Sequence, residues 1–431
     1  MKTSEILGLN ARTNIFSYPY NKPDAKRKAN SKLATKRAML EAGVPVPEIY
    51  AKFVKPHKLL TFDWNKLPGA FALKPNRGLG GEGIIVVKKR SQDKTGWITT
   101  QKNKVTIDDL KLHILDILEG AYSIDTTPDV AYIEEYVGRH KALRKYSYRG
   151  TPDIRVVVFN RVPVMAMLRL PTKESGGRAN LHQGAIAVGV DIATGITTKA
   201  YWHGEYLRYK PGTKKKLHGI KIPTWTKILE TAVRCQEATG LGYLGADIVL
   251  HPEKGPMILE INAQPGLQIQ LANTAGLRKR LERIKDLEVR DAEHGVKIAK
   301  ILFAERFADR VKAEEGVKIL KNIERVKIYA HGKKGVIVNA RIDTGAMRSS
   351  IDRNLAEELG LMNEDNVLWR KRYAYRSAHG RQSRPVIGLT MRIAGRKIKT
   401  SASIADRTKM STHLLIGRND LGGFYVSPSE E

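Results

Sequence analysis

The sequence predicts a larger α+β domain followed by a smaller, mainly β domain. Two apolar segments, Ile248–Leu250 and Met257–Ile261, flank the turn sequence HPEKGP, which is typical of a β-hairpin. A glycine-rich loop joins two more strand segments, Phe71–Lys74 and Ile84–Val87. After Val317, short β-like runs replace helical, strongly charged sequence. We place the first domain, a helical linker and the second domain at residues 1–285, 286–316 and 317–431.

Composition limits the class of protein. A chain of 431 residues has room for two or three domains. Its formal charge of +31 and pI near 10.0 attract polyanions, whether nucleic acid, a phosphate-rich ligand or an acidic polypeptide. The single cysteine, Cys235, excludes a disulfide scaffold and indicates a reducing compartment. Because no apolar run reaches the length of a membrane span and Met1–Asn10 lacks a signal-peptide core, we predict a cytoplasmic protein without a membrane partner.

Apolar periodicity predicts the elements in chain order. A turn-rich basic segment, SYPYNKPDAKRK, precedes the first helix. The predicted helices are Asn30–Ala42, Ile107–Leu118, Thr224–Thr239 and a charged helical region over Leu277–Glu315. Further strands of the first domain are Ala131–Val137, Asp153–Phe159, Val162–Leu170 and Ile186–Val190. Those of the second domain are Val326–Ala330, Gly335–Ile342, Pro385–Ile393, Ile398–Ile404 and Leu414–Ile416.

Three polar side chains interrupt the apolar hairpin. Asp247 opens its first strand, and Glu260 and Asn262 close the second, where alternation places them on one face. These are hard oxygen ligands, and magnesium prefers one or two carboxylates together with phosphate oxygens. The pattern therefore predicts a metal site that a nucleotide completes, with surface acids on a hairpin as the simpler interpretation.

The glycine-rich loop is suited to an anion. Glycines at 78, 80, 81 and 83 let the backbone approach a phosphate closely and direct N–H groups at it. Lys74, just before the loop, can meet the phosphate charge. Arg155 and Arg169 lie on otherwise apolar strands, where a charge either faces solvent or serves a site.

In this order, the segments of the first 280 or so residues resemble the ATP-grasp ligases. The resemblance is strongest to the alpha-L-glutamate ligase-like group, related to enzymes that add glutamate to the C-terminus of a ribosomal protein. It rests on KLATKRAMLEAGVPVP, LKPNRGLGGEGIIVV, AYIEEYV, DIRVVVFN, VPVMAMLRLPTKESGGRANLHQGA and GYLGADIVL followed by MILEINAQPGLQIQLAN.

The resemblance implies roles for individual residues. Two lysines, Lys32 and Lys74, would contact the ATP phosphates. A flexible lid would be formed by Gly78–Gly83, which includes Gly80, Gly81 and Gly83. The hinge that holds adenine and ribose would be Glu135, Tyr136 and Val137. Two Mg²⁺ ions, or Mn²⁺ in their place, would bind Asp247, Glu260 and Asn262. Beside the phosphates and the acyl group the resemblance places Arg169, Asn180, Arg155 and Arg178.

The second domain resembles the retropepsin-like aspartic peptidases, and more closely a bacterial group labelled ATP-dependent zinc proteases. The evidence is ARIDTGAMRSSID, with Asp343-Thr344-Gly345 as the active-site triplet, and a partner strand Leu414–Gly417. Peptidase chemistry of this type needs two carboxylates that share a proton, so a homodimer would supply the second aspartate. We do not predict zinc, because the His and Cys positions form no zinc-ligand spacing.

We therefore predict an ATP-dependent carboxylate–amine ligase that adds glutamate or a similar amino acid to an acidic peptide or protein, fused to a peptidase-like domain. One alternative is a ligase that makes a small peptide-like metabolite, with a silent C-terminal barrel used for dimerisation. Another is a basic protein that binds RNA or the ribosome. Only about thirty residues precede Lys32, whereas such ligases usually carry an α/β domain there, so we expect a shortened substrate pocket or one completed by another subunit.

Overall fold

The computed structural model describes residues 3–78, 80–123, 126–303, 318–330, 335–377, 380–422 and 424–427. For residues 3, 318, 369–377 and 380–383 it describes the backbone alone. Leu79 of the predicted lid and residues 304–316 of the predicted linker lie outside the described residues. The chain divides into two compact units, residues 1–285 and 286–431, so that residues 286–303 belong to the second unit.

The first unit contains two antiparallel sheets. The six-stranded sheet, in the order β1-β6-β2-β3-β4-β5, consists of β1 Ile49–Phe53, β2 Phe71–Pro75, β3 Ile85–Arg90, β4 Gly96–Thr99, β5 Lys104–Thr106 and β6 Ala131–Glu135. The seven-stranded sheet, in the order β11-β10-β9-β8-β7-β12-β13, consists of β7 Asp153–Phe159, β8 Val162–Leu170, β9 Ile186–Val190, β10 Thr197–Trp202, β11 Glu205–Leu207, β12 Tyr243–His251 and β13 Gly255–Asn262.

Helices surround these sheets. They are α1 Leu9–Ala11, α2 Tyr18–Tyr20, α3 Pro23–Ala29, α4 Lys32–Glu41, α5 Lys58–Thr61, α6 Ile107–Leu118, α7 Lys141–Arg144, α8 Trp225–Thr239, α9 Ile269–Asn273 and α10 Leu277–Ile284, with a π-helix over Arg12–Ser17. Leu110, Ile114 and Ile117 of α6 are fully buried in the core of the six-stranded sheet. The fully buried Cys235 lies on α8, which packs on β7, β8 and β12.

Local sequence explains several of these elements. The capping box of Thr106 and Asp109 starts α6, and Gly240, with a φ of 73°, ends α8. Asn160 and Arg161 both have positive φ, as a two-residue hairpin turn requires, and they set the pairing of β7 with β8. The predictions for β7, β8, β9, α6 and α8 are confirmed. The segment predicted as turn-rich contains α3, which Pro23 begins in the first-turn position that proline favours.

The second unit is built around a closed six-stranded barrel. Its strands are β15 Ile323–Tyr329, β16 Val336–Asp343, β17 Ser350–Asp352, β19 Gly380–Ile393, β20 Arg396–Ala405 and β21 Leu414–Gly417, and the pairing of β15 with β19 closes the barrel. The strand β18 Val367–Ser377 pairs antiparallel with β19, and β14 Lys318–Leu320 pairs in parallel with β22 Phe424–Val426. Among the described residues of this unit, the α-helices are α11 Ala292–Leu302 and α12 Arg353–Glu358.

Among the described residues, no helix has the length and apolar character that crossing a membrane would require.

Candidate functional site

Asn76, directly after β2, positions the start of α4. Its side-chain oxygen accepts the Leu33 backbone N–H at 2.9 Å, and its carbonyl accepts that of Lys32 at 3.2 Å. The Lys32 ammonium then donates to the Gly78 carbonyl at 2.7 Å and lies 3.6 Å from a Glu260 oxygen. Lys32 is thus fixed between the start of the glycine loop and one of the predicted metal ligands.

Lys74 belongs to a buried group of three charges with Glu134 and Lys36. The Glu134 carboxylate lies 2.5 Å from the Lys74 ammonium and 2.8 Å from that of Lys36. The Glu134 and Lys36 side chains are 1% and 2% exposed, whereas Lys74 is 13% exposed. The buried Glu134 therefore orients the Lys74 ammonium, and Lys74 lines the neighbouring cavity.

Ionisation of this group follows from its charges. Burial raises the pKa of Glu134, but Lys74 and then Lys36 outweigh burial, so that the net pKa is lowered. The pKa of Lys36 is lowered by burial, which Glu134 partly offsets. With Glu134 ionised, two ammonium groups share one carboxylate, and the group presents excess positive charge beside Lys74.

Three side chains hold the carbonyls of the glycine loop. Besides Lys32 at Gly78, the Asn180 amide donates to the Gly80 carbonyl at 3.1 Å, and His113 Nε2 donates to the Gly83 carbonyl at 2.8 Å. Gly80, Gly81 and Gly83 have φ values of 63°, 83° and 65°, which favour glycine. A Cβ at Gly83 would lie 2.5 Å from the ring of Tyr122.

We expect this loop to lose conformational freedom when a nucleotide binds. Glycine backbone loses more entropy on ordering than that of other residues, and the N–H groups of the loop gain phosphate partners only in the complex. Deuterium uptake by peptides over Gly78–Gly83 should fall when a non-hydrolysable ATP analogue and magnesium are added. Peptides from α8 serve as the control and should not change. Unchanged uptake in the loop at saturating analogue would contradict its role as a lid.

A network of two carboxylates and two arginines lies on the seven-stranded sheet. Cross-strand pairing sets Asp247 opposite Arg155, and Asp153 opposite Arg169. Arg155 donates to both Asp247 oxygens at 2.7 Å, and Arg169 lies 2.8 Å from one of them. Arg169 also donates to both oxygens of Asp153. The two arginines are therefore oriented by carboxylates on neighbouring strands.

The two carboxylates of this network differ in proton affinity. Burial raises the pKa of Asp247, but Arg155 and then Arg169 outweigh burial and bring it to about 2. Burial raises the pKa of Asp153 to about 6 against the pull of Arg169, and the charge of Asp247 adds to the rise. Asp247 thus remains ionised, while Asp153 titrates closer to neutrality.

The predicted metal ligands fit a magnesium ion by their chemistry. Glu260 pairs with Asp247 across the β12–β13 hairpin, and the Asn262 amide donates to Asp247 at 3.3 Å. This donor set of two carboxylates and one amide is one that magnesium uses with phosphate oxygens. Both Asp247 oxygens already face arginines, so Glu260 and Asn262 are the more accessible ligands. Among the described residues, no group of three or more His, Cys, Asp or Glu side chains is arranged to hold a metal.

The predicted hinge follows β6. Glu135 accepts from Lys254 at 2.5 Å and from the backbone N–H of Glu48 at 3.3 Å. Burial raises the pKa of Glu135, but its hydrogen bonds from Lys254 and from the Glu48 N–H, together with the charge of Lys254, outweigh burial and lower the pKa. Tyr136 and Val137 follow, and burial raises the pKa of the Tyr136 hydroxyl. The hinge side chain of Glu135 is thus held by an ion pair at the edge of the site.

These groups line one cavity of about 740 Å³ with walls from both sheets, a volume typical of small-molecule and cofactor sites. Apart from Gly78 and Gly83 at the ends of the glycine loop, the structure brings together the residues that were predicted singly for the site of the first unit. They are Lys32, Lys74, Gly80, Gly81, Glu135, Tyr136, Val137, Arg155, Arg169, Arg178, Asn180, Asp247, Glu260 and Asn262.

Sequence reasoning missed Glu134, Lys36 and Asp153. A signal existed for Lys36, because it lies one helical turn after Lys32 and so shares its face of α4. In β6, alternation separates the face of Glu134 from that of Glu135, which alone was predicted. Asp153 begins an apolar strand, and only its pairing with β8 reveals the partner Arg169.

Asp343 lies in the second unit, at the end of β16. Parallel pairing sets it beside Gly417 of β21, so that the DTG and LLIG segments are neighbours. The half-buried Asp343 carboxylate accepts the backbone N–H groups of Gly345 and Ala346 at 2.9 Å. The turn is therefore shaped by the carboxylate of Asp343.

Residues 11–286 match a family model described as sugar-transfer associated ATP-grasp. A probable alpha-L-glutamate ligase of Pseudomonas putida is 27% identical over 164 residues, which cover 36% of this chain and 43% of that protein. The match thus spans less than half of the curated relative.

Two solved structures are similar to the chain. The ATP-grasp ligase PsnB, complexed with a minimal precursor, is 19% identical, with 59% of each chain covered and a TM-score of 0.32. A D-alanine–D-alanine ligase from Bacillus anthracis is 15% identical, with 69% of this chain and 72% of that chain covered and a TM-score of 0.33.

Proposed function

The chain belongs to the sugar-transfer associated ATP-grasp family, and we propose that it is an ATP-dependent carboxylate–amine ligase. The observation that carries the proposal is the single cavity in which cations and hard oxygen ligands meet under a glycine loop. Lys32 and Lys74 line it together with Glu260 and Asn262. A nucleotide triphosphate needs this combination, because its phosphates require both positive charge and a metal.

The reaction has two steps. A carboxylate oxygen attacks the γ-phosphorus of ATP, the bond from that phosphorus to the ADP oxygen breaks, and an acyl phosphate forms. An amine nitrogen then attacks the acyl carbon, the C–N bond forms, phosphate leaves with the bonding electrons, and the amine loses a proton. Such a site catalyses mainly by positioning and by stabilising charge.

Charged side chains of the cavity suit these steps. Lys74, held by the buried Glu134, and Lys32 at the start of the loop can meet the phosphate oxygens. Asp247 orients Arg155 and Arg169, which can stabilise the transferring group. Asn180, which contacts the glycine loop, is close enough to that loop to respond to its closure.

Metal binding is part of the proposal. Glu260 and Asn262, with Asp247, would hold two Mg²⁺ ions or Mn²⁺, which when bound would neutralise charge on the phosphate oxygens. We propose glutamate or a similar amino acid as the amine and a peptide or protein carboxylate as its acceptor. Support comes from the matched region of the P. putida protein, a probable alpha-L-glutamate ligase, and from the net charge of +31, which favours an acidic acceptor.

The test is ADP release by the purified chain with magnesium against a panel of amino acids and peptides, with mass spectrometry of the products. A product heavier by one amino-acid residue per ADP released supports the proposal. If only a small dipeptide-like metabolite forms, the alternative ligase is correct. Absence of any ATP-dependent product, together with tight binding of RNA, would favour the RNA- or ribosome-binding alternative.

We further propose that the second unit is an aspartic peptidase when two copies pair. The specific observation is the parallel register of Asp343 with Gly417, which places DTG beside LLIG in a closed barrel. One aspartate cannot act as both base and acid toward one water, whereas two adjacent carboxylates that share a proton can. A symmetric dimer needs only one surface patch to supply the second carboxylate.

Asp343→Asn should abolish cleavage of acidic peptides and leave ligation unchanged, because the ligase residues lie in the other unit. Peptide cleavage and light scattering are measured on the full chain. Asp406→Asn, at an exposed carboxylate of the same unit, is the matched control and should cleave like the wild type. A strict monomer, or full cleavage by Asp343→Asn, would leave the barrel as a silent domain.

A further inference from the structure

A second cavity of the first unit, of about 700 Å³, is strongly basic. We call it the basic groove. It is formed by residues of β3 and β4 with the turns that follow them, by Lys104 of β5, and by Arg139 and Arg149, which follow β6 in the chain. In the described part of the chain, the only acidic residue of its lining is Asp93, and its basic lining residues are Lys88, Lys89, Arg90, Lys102, Lys104, Arg139 and Arg149. The groove therefore concentrates positive charge beyond what the surface as a whole carries.

Much of this charge is not neutralised within the chain. Asp93 pairs with Lys104, and Arg90 stacks over Trp97 and donates to nearby carbonyls. Lys88, Lys89 and Lys102 are exposed. In the part of the chain that the structure describes, these three lysines form no ion pair with a carboxylate. They remain available to an external anion.

The basic groove adjoins the site cavity. Thr99 and Thr100 line both cavities. On β3, Val86 lines the site cavity, and Lys88, two residues further along the strand, lines the groove. A peptide that follows β3 therefore leads from the lysines towards the site.

Further positive charge lies close to Arg139 of the groove. Burial lowers the pKa of Lys210, and the like charges of Lys215 and then Arg139 lower it further. Arg139 is itself a lining residue of the groove. An anionic ligand there would thus meet charge from two separate segments of the chain.

The lining favours one class of polyanion. Proteins that hold single-stranded nucleic acid combine basic grooves with aromatic side chains on which bases stack. Of the described residues that line the groove, none is aromatic. A carboxylate-rich peptide needs no stacking surface and pairs with lysines directly. We propose that the basic groove binds an acidic peptide segment and directs its terminal carboxylate into the site cavity, which deepens and rests on the proposed ligase function.

The test is binding of a fluorescein-labelled oligoglutamate peptide to the full chain, followed by anisotropy at low and at physiological ionic strength. Lys88→Glu with Lys89→Glu should raise the Kd about tenfold or more at low salt, because attraction becomes repulsion. Lys52→Glu with Lys55→Glu is the matched control, since both lysines are exposed at or beyond β1, the opposite edge of the same sheet. It should change the Kd by less than about twofold.

In ligation assays the groove variant should show a higher KM for oligoglutamate and an unchanged KM for ATP. Wild-type binding by this variant would overturn the groove proposal, and wild-type ligation in the same assay would leave the ligase function standing. An oligothymidylate of equal charge that binds as tightly, with the same loss in the variant, would overturn the assignment to an acidic peptide. Binding localised to the groove without ligation of any carboxylate would instead overturn the ligase function and the delivery of the carboxylate with it.

Discussion

Glu260→Ala is expected to lower ATP-dependent ligation by about two orders of magnitude or more. Glu260 is more accessible than Asp247, since its side chain is 39% exposed and its carboxylate lies 3.6 Å from the Lys32 ammonium, whereas both Asp247 oxygens face arginines. Without Glu260 the metal loses a proposed ligand, and the phosphate charge that the metal would neutralise stays uncompensated. The substitution also removes one contact of Lys32. Steady-state ADP release and product formation, measured over a range of magnesium concentrations, report the change.

Glu253→Ala is the control for this variant. Glu253 lies in the turn of the same β12–β13 hairpin and is exposed, so its removal changes the net charge equally without touching the cavity. It should turn over like the wild type. ADP release at the wild-type rate by Glu260→Ala would show that this carboxylate is not a metal ligand of the site.

Glu134→Gln is expected to destabilise the first unit by about 3–5 kcal/mol. The substitution leaves Lys36, whose side chain is 2% exposed, without its ionised partner, and it frees Lys74 from the contact that orients it. Denaturant unfolding monitored by tryptophan fluorescence should show a lower midpoint. Ligation should fall as well, since Lys74 loses its position.

A second substitution separates charge pairing from packing. Lys36→Met combined with Glu134→Gln removes both buried charges, so the double variant should be more stable than Glu134→Gln alone. Its ligation should stay low, because Lys74 still lacks Glu134. If Glu134→Gln unfolds at the wild-type midpoint, the buried group does not contribute as the geometry indicates.

The same group gives a direction for the pH dependence. The folded-state pKa of Glu134 lies below its unfolded value, so its ionised form stabilises the fold at pH values above the unfolded pKa. This contribution declines as the pH falls through the folded pKa. Glu134→Gln should therefore cost most stability near neutral pH and less in acid.

Sequence predicted the elements whose ends are set locally. The β7–β8 hairpin is bounded by the two-residue turn Asn160–Arg161, and α6 begins at the capping box of Thr106 and Asp109, which are features of adjacent residues. The short strands β4 and β5 were missed, because each has few residues and is stabilised by pairing within the sheet rather than by its own pattern. In the second unit, closure of the barrel depends on the pairing of β15 with β19, which are distant in sequence.

The site was predictable to the extent that its chemistry shows in single segments. One hairpin carries Asp247, Glu260 and Asn262, and Lys74 precedes the glycine loop, so their positions in the sequence were enough to predict them as site residues. Glu134 and Asp153 act through partners on other elements, Lys36 on α4 and Arg169 on β8. Local sequence does not specify these pairings, because they form only when the two elements pack together.

An oxygen-18 transfer experiment tests the central claim most directly. The carboxylate of the acceptor peptide is labelled with oxygen-18, and the chain is supplied with magnesium, ATP and the amine. If an acyl phosphate forms, one labelled oxygen must leave with phosphorus when the amine attacks, so inorganic phosphate should carry one oxygen-18 atom for each amide bond formed, together with ADP. Label in AMP with release of pyrophosphate, or ADP with unlabelled phosphate and no amide product, would contradict the account.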